Sequence, residues 1–145
     1  MRCYMKRSKP SAERRILFIC THNSARSQMA EGLANHYLRG RYNAKSAGTK
    51  PGRVNPYAIS VMKELGVDIS RARSKSIKEF EGQEFDFVVT VCSNAAEVCP
   101  FFPGKEHLHQ GFKDPALATG TEEEMLRVFR SSRDQILAWI EAHFR

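Results

Sequence analysis

A cysteine and an arginine lie six residues apart in the segment Cys-Thr-His-Asn-Ser-Ala-Arg, which spans residues 20–26. The segment follows the apolar run of residues 16–19 and precedes residues with helical spacing. In such a strand-to-helix turn, backbone N–H groups surround a tetrahedral oxyanion and Arg26 can bind two of its oxygens. The positive charge of Arg26 and of the helix N-terminus also favours the thiolate form of Cys20. The pattern therefore predicts a nucleophile that faces a bound anion.

Two structural explanations compete with this interpretation. Cys20 is also explained as a small buried residue at a strand end, and Arg26 as a solvated side chain on the first turn of a helix. The continuous apolar run before Cys20 suits a buried parallel strand, however. Ligands of parallel sheets bind just beyond the carboxyl ends of the strands, where Cys20 lies. The context favours the anion-binding loop.

Alternating strand and helix patterns are predicted along the rest of the chain. An apolar face at helical spacing marks the helix after Arg26, Asn55 and Pro56 start a second helix, and Thr121 with Glu124 forms a capping box for a long terminal one. Strands that alternate with helices are joined by right-handed crossovers. The pattern therefore predicts an α/β fold with a parallel sheet covered on both faces. The predicted elements are helix 26–39, strand 41–47, helix 56–65, irregular loop and helical turns over 67–84, strand 85–91, strand 105–109 and a helix from 122 onward.

Length and charge indicate a single domain behind a basic tail. The chain has 145 residues, 41% of them apolar, and a formal net charge of +7. Residues 1–15 carry six Lys or Arg and one Glu, so they supply +5 of that charge. We therefore expect a flexible basic tail over residues 1–14 and one globular domain over 15–145. No interleaving of basic and aromatic residues follows the tail, so nucleic acid is not an expected partner.

The chain shows neither the apolar stretch of a signal peptide nor a run long enough to cross a bilayer. We expect a cytoplasmic protein that does not associate with membranes. In a reducing compartment, its four cysteines are more plausibly catalytic, redox-active or metal-binding than structural.

Cys92 and Cys99 are separated by seven positions in a short segment of small residues that ends in a proline-rich turn. Two helical turns would hold their Cα atoms about 10 Å apart, too far for a disulfide, so pairing requires the segment to loop out. The pair then acts as a redox switch. Zinc held with His107 and His109 is an alternative, although the spacing does not suit it, and two unrelated buried cysteines are another. No cofactor is expected, and Cys3 is interpreted as an idle exposed thiol.

A thiolate that faces a tetrahedral oxyanion supports phosphoryl transfer, with Asp114 as the candidate acid. A phosphatase has no need of further thiols, however. Arsenate resembles phosphate but accepts two electrons, so after attack by Cys20 a second thiol can attack the Cys20 sulfur and expel arsenite. A third thiol can then carry the disulfide to the surface for an external reductant.

At this point the chain resembles the thioredoxin-coupled arsenate reductases, which share the low-molecular-weight tyrosine phosphatase fold. The resemblance is carried by Cys-Thr-x-Asn-Ser-x-Arg-Ser-Gln-Met-Ala-Glu-Gly at 20–32, Ser-Ala-Gly at 46–48, Val-Asn-Pro at 54–56, Val-Val-Thr-Val-Cys-Ser at 88–93, Cys99-Pro100 and Gly-Phe-x-Asp-Pro at 111–115. It implies a four-stranded parallel sheet with helices on both faces. It also implies arsenate reduction in arsenic detoxification, phosphate as a competing oxyanion, and thioredoxin or a similar reductant as partner.

The same resemblance assigns roles by position. Cys20 is the nucleophile, Cys92 the second thiol, Cys99 the third and Asp114 the acid. Within the loop, Asn23 orders the backbone and Ser27 helps to stabilise the thiolate. The implied substrate-binding residues are those of the loop, namely Thr21, His22, Asn23, Ser24, Ala25, Arg26 and Ser27.

Some members of the family hold a potassium ion near the loop. The matching positions here are Asn23, Glu31, Ser46 and Lys75, and a lysine stands at the last where an acidic residue is expected. We hypothesise that the Lys75 ammonium replaces the cation, so that no metal is needed. His22 and Ala25 also depart from the common pattern; His22 either places an imidazole at the rim or is exposed without a role.

Two other functions stay open. The first is a low-molecular-weight phosphotyrosine phosphatase that uses Cys20, Arg26 and Asp114. The second is a non-enzymatic redox or anion sensor that uses the thiols for signalling.

Overall fold

The computed structural model describes residues 13–92 and 101–144. Four strands, three α-helices and two short 3-10 helices follow one another along these residues. In chain order they are β1 (Arg14–Cys20), α1 (Arg26–Tyr37), β2 (Tyr42–Gly48), α2 (Pro56–Lys63), a 3-10 helix (Ile77–Phe80), β3 (Phe87–Thr90), β4 (Glu106–His109), a second 3-10 helix (Pro115–Leu117) and α3 (Glu122–Phe144).

The strands form one parallel sheet in the order β2-β1-β3-β4. Strand β1 is central, with Cys20 opposite Gly48 of β2 and Ile19 opposite Thr90 of β3. Because the strands are parallel, the residues that follow β1, β2 and β3 meet at one edge of the sheet. The predicted α/β fold with a four-stranded parallel sheet is confirmed.

The two faces of the sheet are covered differently. Alternate residues of β1 point to opposite faces, since side chains alternate along a strand. Ile16 and Phe18 belong to a core that contains apolar residues of α1, α2 and α3. Leu17 and Ile19 pack instead with Phe80 and other residues of a smaller cluster. In the part of the chain that the structure describes, a 3-10 helix rather than an α-helix covers that second face.

The predicted helix starts are confirmed in detail. The Asn55 side chain accepts a hydrogen bond of 2.8 Å from the backbone N–H of Tyr57 at the start of α2. Thr121 and Glu124 exchange hydrogen bonds of 2.8 and 3.1 Å across the first turn of α3. Both caps satisfy backbone donors that the helix itself leaves without partners.

The predicted domain boundary and tail fall largely outside the described residues. Of the proposed tail 1–14, only Glu13 and Arg14 are described, and β1 already begins at Arg14. No described helix is long and apolar enough to cross a membrane.

Candidate active site

The segment between Cys20 and Arg26 forms a loop that joins the end of β1 to the start of α1. Its carbonyl groups bond to neighbouring segments: those of Thr21 and Ser24 accept from the N–H groups of Lys50 and Asn55 at 2.9 and 3.0 Å. The His22 carbonyl accepts from the Ser74 hydroxyl at 2.8 Å. Since C=O and N–H point in opposite directions across a trans peptide, outward carbonyls turn the loop N–H groups inward. This is the arrangement that an anion-binding loop requires.

Gly48 at the end of β2 makes room for this loop. A Cβ atom at that position would lie 2.6 Å from the Thr21 carbonyl oxygen and 2.9 Å from the Asn23 nitrogen. Both are backbone atoms, which cannot move aside as a flexible side chain can. A glycine is therefore needed where β2 passes beneath the loop.

Cys20 is buried at the end of β1, with 2% of its surface exposed. Its Sγ lies 2.8 Å from the Oγ of Ser27. The Ser27 hydroxyl oxygen also accepts a hydrogen bond of 2.8 Å from Nδ2 of Asn23. Because that bond uses the oxygen as acceptor, the hydroxyl proton can be directed at the Cys20 sulfur.

Arg26, the first residue of α1, is 2% exposed and reaches across the site. Its Nη1 donates to the carbonyls of Val91 and Phe112 at 3.4 and 3.2 Å. Its Nη2 lies 3.5 Å from Oδ2 of Asp114. The other oxygen of that carboxyl group accepts from the backbone N–H of Ala116 at 3.0 Å. The fold thus brings the predicted anion-binding arginine and the predicted acid together.

Cys92 lies two residues beyond β3, at the same edge of the sheet as Cys20. The pairing of β3 with β1 continues there, because the N–H of Val91 donates to the Ile19 carbonyl at 2.9 Å. Cys92 is 1% exposed, and both Cys20 and Cys92 are thiols. Cys20 ends β1 and Cys92 follows the neighbouring strand β3, and adjacent parallel strands lie about 4.8 Å apart. Cys99 and Cys3 lie outside the described residues.

The four residues matched to the cation site of the family also come together. The Ser46 hydroxyl accepts from Asn23 at 2.9 Å and donates to Glu31. The Lys75 ammonium lies 3.6 Å from Oε1 of Glu31 and donates to the Arg73 carbonyl at 2.8 Å. These contacts place a positive charge beside Glu31. Because the Lys75 ammonium already supplies that charge, these four residues do not fit a bound potassium ion.

The histidines singled out in the sequence have other contacts. His22 is exposed at the rim, where Nδ1 lies 3.1 Å from the Lys50 carbonyl oxygen. Nε2 of His107 lies 2.7 Å from the Phe102 carbonyl oxygen, and Nδ1 of His109 lies 2.7 Å from the Thr90 hydroxyl. Within residues 13–92 and 101–144, no group of three metal-ligating side chains is found.

The sequence did not reveal the structural roles of two residues in this site. Gly48 and Gln28 both stand inside motifs that carry the family resemblance, but motif position alone does not reveal what they contact. Gly48 admits the loop, and Gln28 bonds to it from behind.

Comparison with known proteins first defines the class. Residues 15–139 match the family model described as low molecular weight phosphotyrosine protein phosphatase. The fold agrees, because a solved structure described as an arsenate reductase in the phosphate binding state superposes with a TM-score of 0.75. That pair is 31% identical and covers 89% of this chain and 95% of the other. The chain belongs to the low molecular weight phosphotyrosine protein phosphatase family.

Closer relatives define the group within that family. An arsenate reductase of Halalkalibacterium halodurans is 51% identical over 122 residues, which cover 83% of this chain and 88% of the relative. A thioredoxin-dependent arsenate reductase of Corynebacterium glutamicum superposes with a TM-score of 0.60 at 28% identity, over 91% of this chain and 64% of that one. Within its family the chain is one of the arsenate reductases, as the sequence motifs predicted.

Proposed function

We propose that the protein reduces arsenate to arsenite by passing oxidation from Cys20 to Cys92 and then to Cys99. One observation carries this proposal: Cys20 ends β1 inside the anion-binding loop, while Cys92 follows the adjacent strand β3 at the same edge. A phosphatase needs only the first of these thiols.

The first step forms a bond between sulfur and arsenic. Arsenate binds to the loop N–H groups and to Arg26, which can hold two of its oxygens. The Cys20 thiolate attacks arsenic, and one arsenate oxygen leaves as water after it accepts a proton from Asp114. The contact between Asp114 and Arg26 supports this role, because it brings the acid to the side of the bound anion.

The second step is the reduction. The Cys92 thiolate attacks the sulfur of Cys20, and a disulfide forms between them. The electron pair of the broken sulfur–arsenic bond stays on arsenic, which passes from the +5 to the +3 state and leaves as arsenite. Two thiolates have then lost two electrons, so the step is balanced.

The third step restores the nucleophile. Cys99 attacks the sulfur of Cys92, the Cys20 thiolate leaves, and a disulfide joins Cys92 to Cys99. An external dithiol protein reduces this disulfide. We propose thioredoxin or a similar reductant, and the thioredoxin-dependent relative from Corynebacterium glutamicum supports that choice. Reduced thiols also favour a cytoplasmic location, which we propose for the protein.

Replacement of Cys92 by serine separates reduction from phosphate chemistry. We expect Cys92→Ser to abolish arsenate turnover and to leave hydrolysis of an aryl phosphate intact, because hydrolysis uses only the loop and Asp114. Steady-state assays with arsenate plus a thioredoxin system and with p-nitrophenyl phosphate measure the two activities. Cys3→Ser is the matched control, and it should change neither activity.

Mass spectrometry after a single arsenate turnover without reductant identifies the relay directly. The expected disulfide is Cys92 with Cys99 in the unchanged protein and Cys20 with Cys92 in Cys99→Ser. If Cys92→Ser still reduces arsenate, the relay is wrong. If the unchanged protein hydrolyses aryl phosphate but never reduces arsenate, the protein is a phosphatase, and if it does neither, a sensor function is favoured.

We further propose that the Lys75 ammonium takes the place of a bound potassium ion. Its contact with Glu31 and its short bond to the Arg73 carbonyl support this assignment. Arsenate turnover should then be equal in KCl and NaCl at the same ionic strength. A severalfold preference for KCl would contradict the assignment.

A further inference from the structure

Gln28 is a buried amide directly behind the anion-binding loop. It is the third residue of α1, and 1% of its surface is exposed. Its Nε2 lies 3.2 and 2.9 Å from the backbone and side-chain oxygens of Asn23, and 3.0 Å from the Arg73 carbonyl oxygen. All three neighbours are acceptors, so the amide must present its nitrogen to them. The side chain is thereby fixed in one orientation.

The opposite end of the same amide is different. Oε1 of Gln28 is buried and makes no hydrogen bond to any residue that the structure describes. A buried unsatisfied acceptor is destabilising, and an apolar residue of similar size would avoid that cost. A residue kept only for packing would not need this amide. Its nitrogen must therefore supply something that outweighs the unsatisfied oxygen.

What Gln28 holds is the strained residue of the loop. Asn23 has a backbone φ of +50°, which places it in the left-handed region, and among the described residues it is the only non-glycine there. Such a conformation persists only where the surroundings fix it. Gln28 binds both acceptors of Asn23 and so fixes its backbone and its side chain at once.

The orientation of Asn23 is transmitted to the nucleophile. With its oxygen held by Gln28 and by the N–H of Lys75, Asn23 directs its Nδ2 at Ser27 and Ser46. Ser27 in turn lies 2.8 Å from the Cys20 sulfur. Two intermediate side chains thus connect Gln28 to the Cys20 sulfur.

The hydrogen bond from Gln28 to the Arg73 carbonyl fixes the segment around Lys75. The Arg73 carbonyl accepts from Gln28 and also from the Lys75 ammonium. Gln28 therefore links the loop to a segment 45 residues away in the sequence, which places a positive charge beside Glu31.

We propose that Gln28 is a positioning residue for the reaction: through Asn23 and Ser27 it holds the hydrogen bond between the Ser27 hydroxyl and the Cys20 sulfur. Gln28 does not itself touch the substrate. The inference rests on the proposed function only where arsenate turnover is measured, since the state of Cys20 can be followed without arsenate.

The test replaces Gln28 by methionine, which keeps the length and removes the donor. Asn35→Met is the matched control: Asn35 lies on the same helix and bonds to both backbone groups of Ala44, away from the loop. The loss of one well-placed hydrogen bond predicts a fall of about tenfold in kcat for arsenate, with a smaller change in KM. The alkylation profile of Cys20, which is its rate of alkylation against pH followed on its own peptide by mass spectrometry, should differ from that of the unchanged protein, because the Ser27 hydroxyl is no longer held toward the sulfur.

The control separates positioning from loss of stability. Asn35→Met is expected to lower Tm and to leave kcat and the alkylation profile unchanged. Gln28→Asn, whose shorter amide cannot reach Asn23 and Arg73 together, should give a weaker form of the same shift and serves if the methionine variant does not fold. The proposal is overturned if the alkylation profile of both Gln28 variants matches that of the unchanged protein, or if Asn35→Met shifts it equally. Should the unchanged protein not reduce arsenate at all, the proposed function fails, and the alkylation profile still decides the role of Gln28.

Discussion

Two buried arginines, Arg26 in the loop and Arg133 in α3, are held in different ways. Arg133 is 6% exposed and has four contacts of 2.8 Å, with the carboxylates of Glu64 and Asp134 and with the Val61 carbonyl. Arg26 is 2% exposed, but its contacts with Val91, Phe112 and Asp114 measure 3.2–3.5 Å. These three contacts of Arg26 are thus longer than the contacts of Arg133.

The difference in contact distances indicates a different role for each guanidinium. Arg133 joins α3 to α2 at full hydrogen-bonding strength, which suits a structural tie between helices. Longer contacts are weaker, so the contacts of Arg26 with Val91, Phe112 and Asp114 can be exchanged for the oxygens of an incoming anion at little cost. Burial of a charged group therefore indicates function only when the quality of its contacts is also considered.

The largest expected effect is that of Arg26→Lys. An ammonium keeps the charge but cannot bind two oxygens of the anion in a planar fork. We expect kcat/KM for arsenate to fall by about a thousandfold, as when a preorganised donor to the reacting anion is lost. Tm should change little, because lysine keeps the positive charge at this position and the contacts of Arg26 with Val91, Phe112 and Asp114 are long. Steady-state kinetics and thermal unfolding check both expectations, and a large fall in Tm would show that Arg26 is structural after all.

Arg133→Met should have the opposite profile. The carboxylates of Glu64 and Asp134 are exposed to solvent, but the buried Val61 carbonyl loses its hydrogen bond, which typically costs roughly 1–3 kcal/mol. Urea unfolding should show that loss in the free energy of unfolding, whereas kcat/KM of the folded fraction should stay within about twofold. The comparison between the two arginines fails if this variant loses activity in proportion to Arg26→Lys.

The smallest expected effect concerns pH. The hydrogen bond from Arg130, with that from Arg133, lowers the pKa of Glu64 to about 2 from 4.5. A lowered pKa adds stability above the unfolded value, and this stability is lost as pH falls from about 4.5 through about 2. Because the Glu64 side chain is 40% exposed, solvent screens the pair and we expect less than about 1 kcal/mol.

Urea unfolding of the unchanged protein and of Glu64→Gln checks this expectation. The variant should be less stable at pH 7, and the difference should shrink toward pH 2. Glu81→Gln, which removes another exposed carboxylate, serves as the control. A difference that is constant across this range would mean that Glu64 contributes through packing alone.

Much of the fold was predictable because its signals are local. The apolar run before Cys20 predicted a buried strand, and residues 16–20 are all buried in β1. The caps at Asn55 and Thr121 lie within three residues of the groups that they bond. Tyr37 shows the limit of such signals: it shares the helical spacing of the apolar residues in α1, but 38% of its surface is exposed.

The sequence by itself determined the loop chemistry, since Cys20, Asn23, Arg26 and Ser27 are close neighbours whose spacing almost dictates their geometry. It also determined the elements and their parallel arrangement. Only the tertiary structure decided that Asp114 meets Arg26, that Lys75 meets Glu31, and that Gln28 holds Arg73. The reason is physical: the partners in these pairs are distant in sequence, and each contact depends on how segments pack around one edge of the sheet, which local residue preferences do not specify.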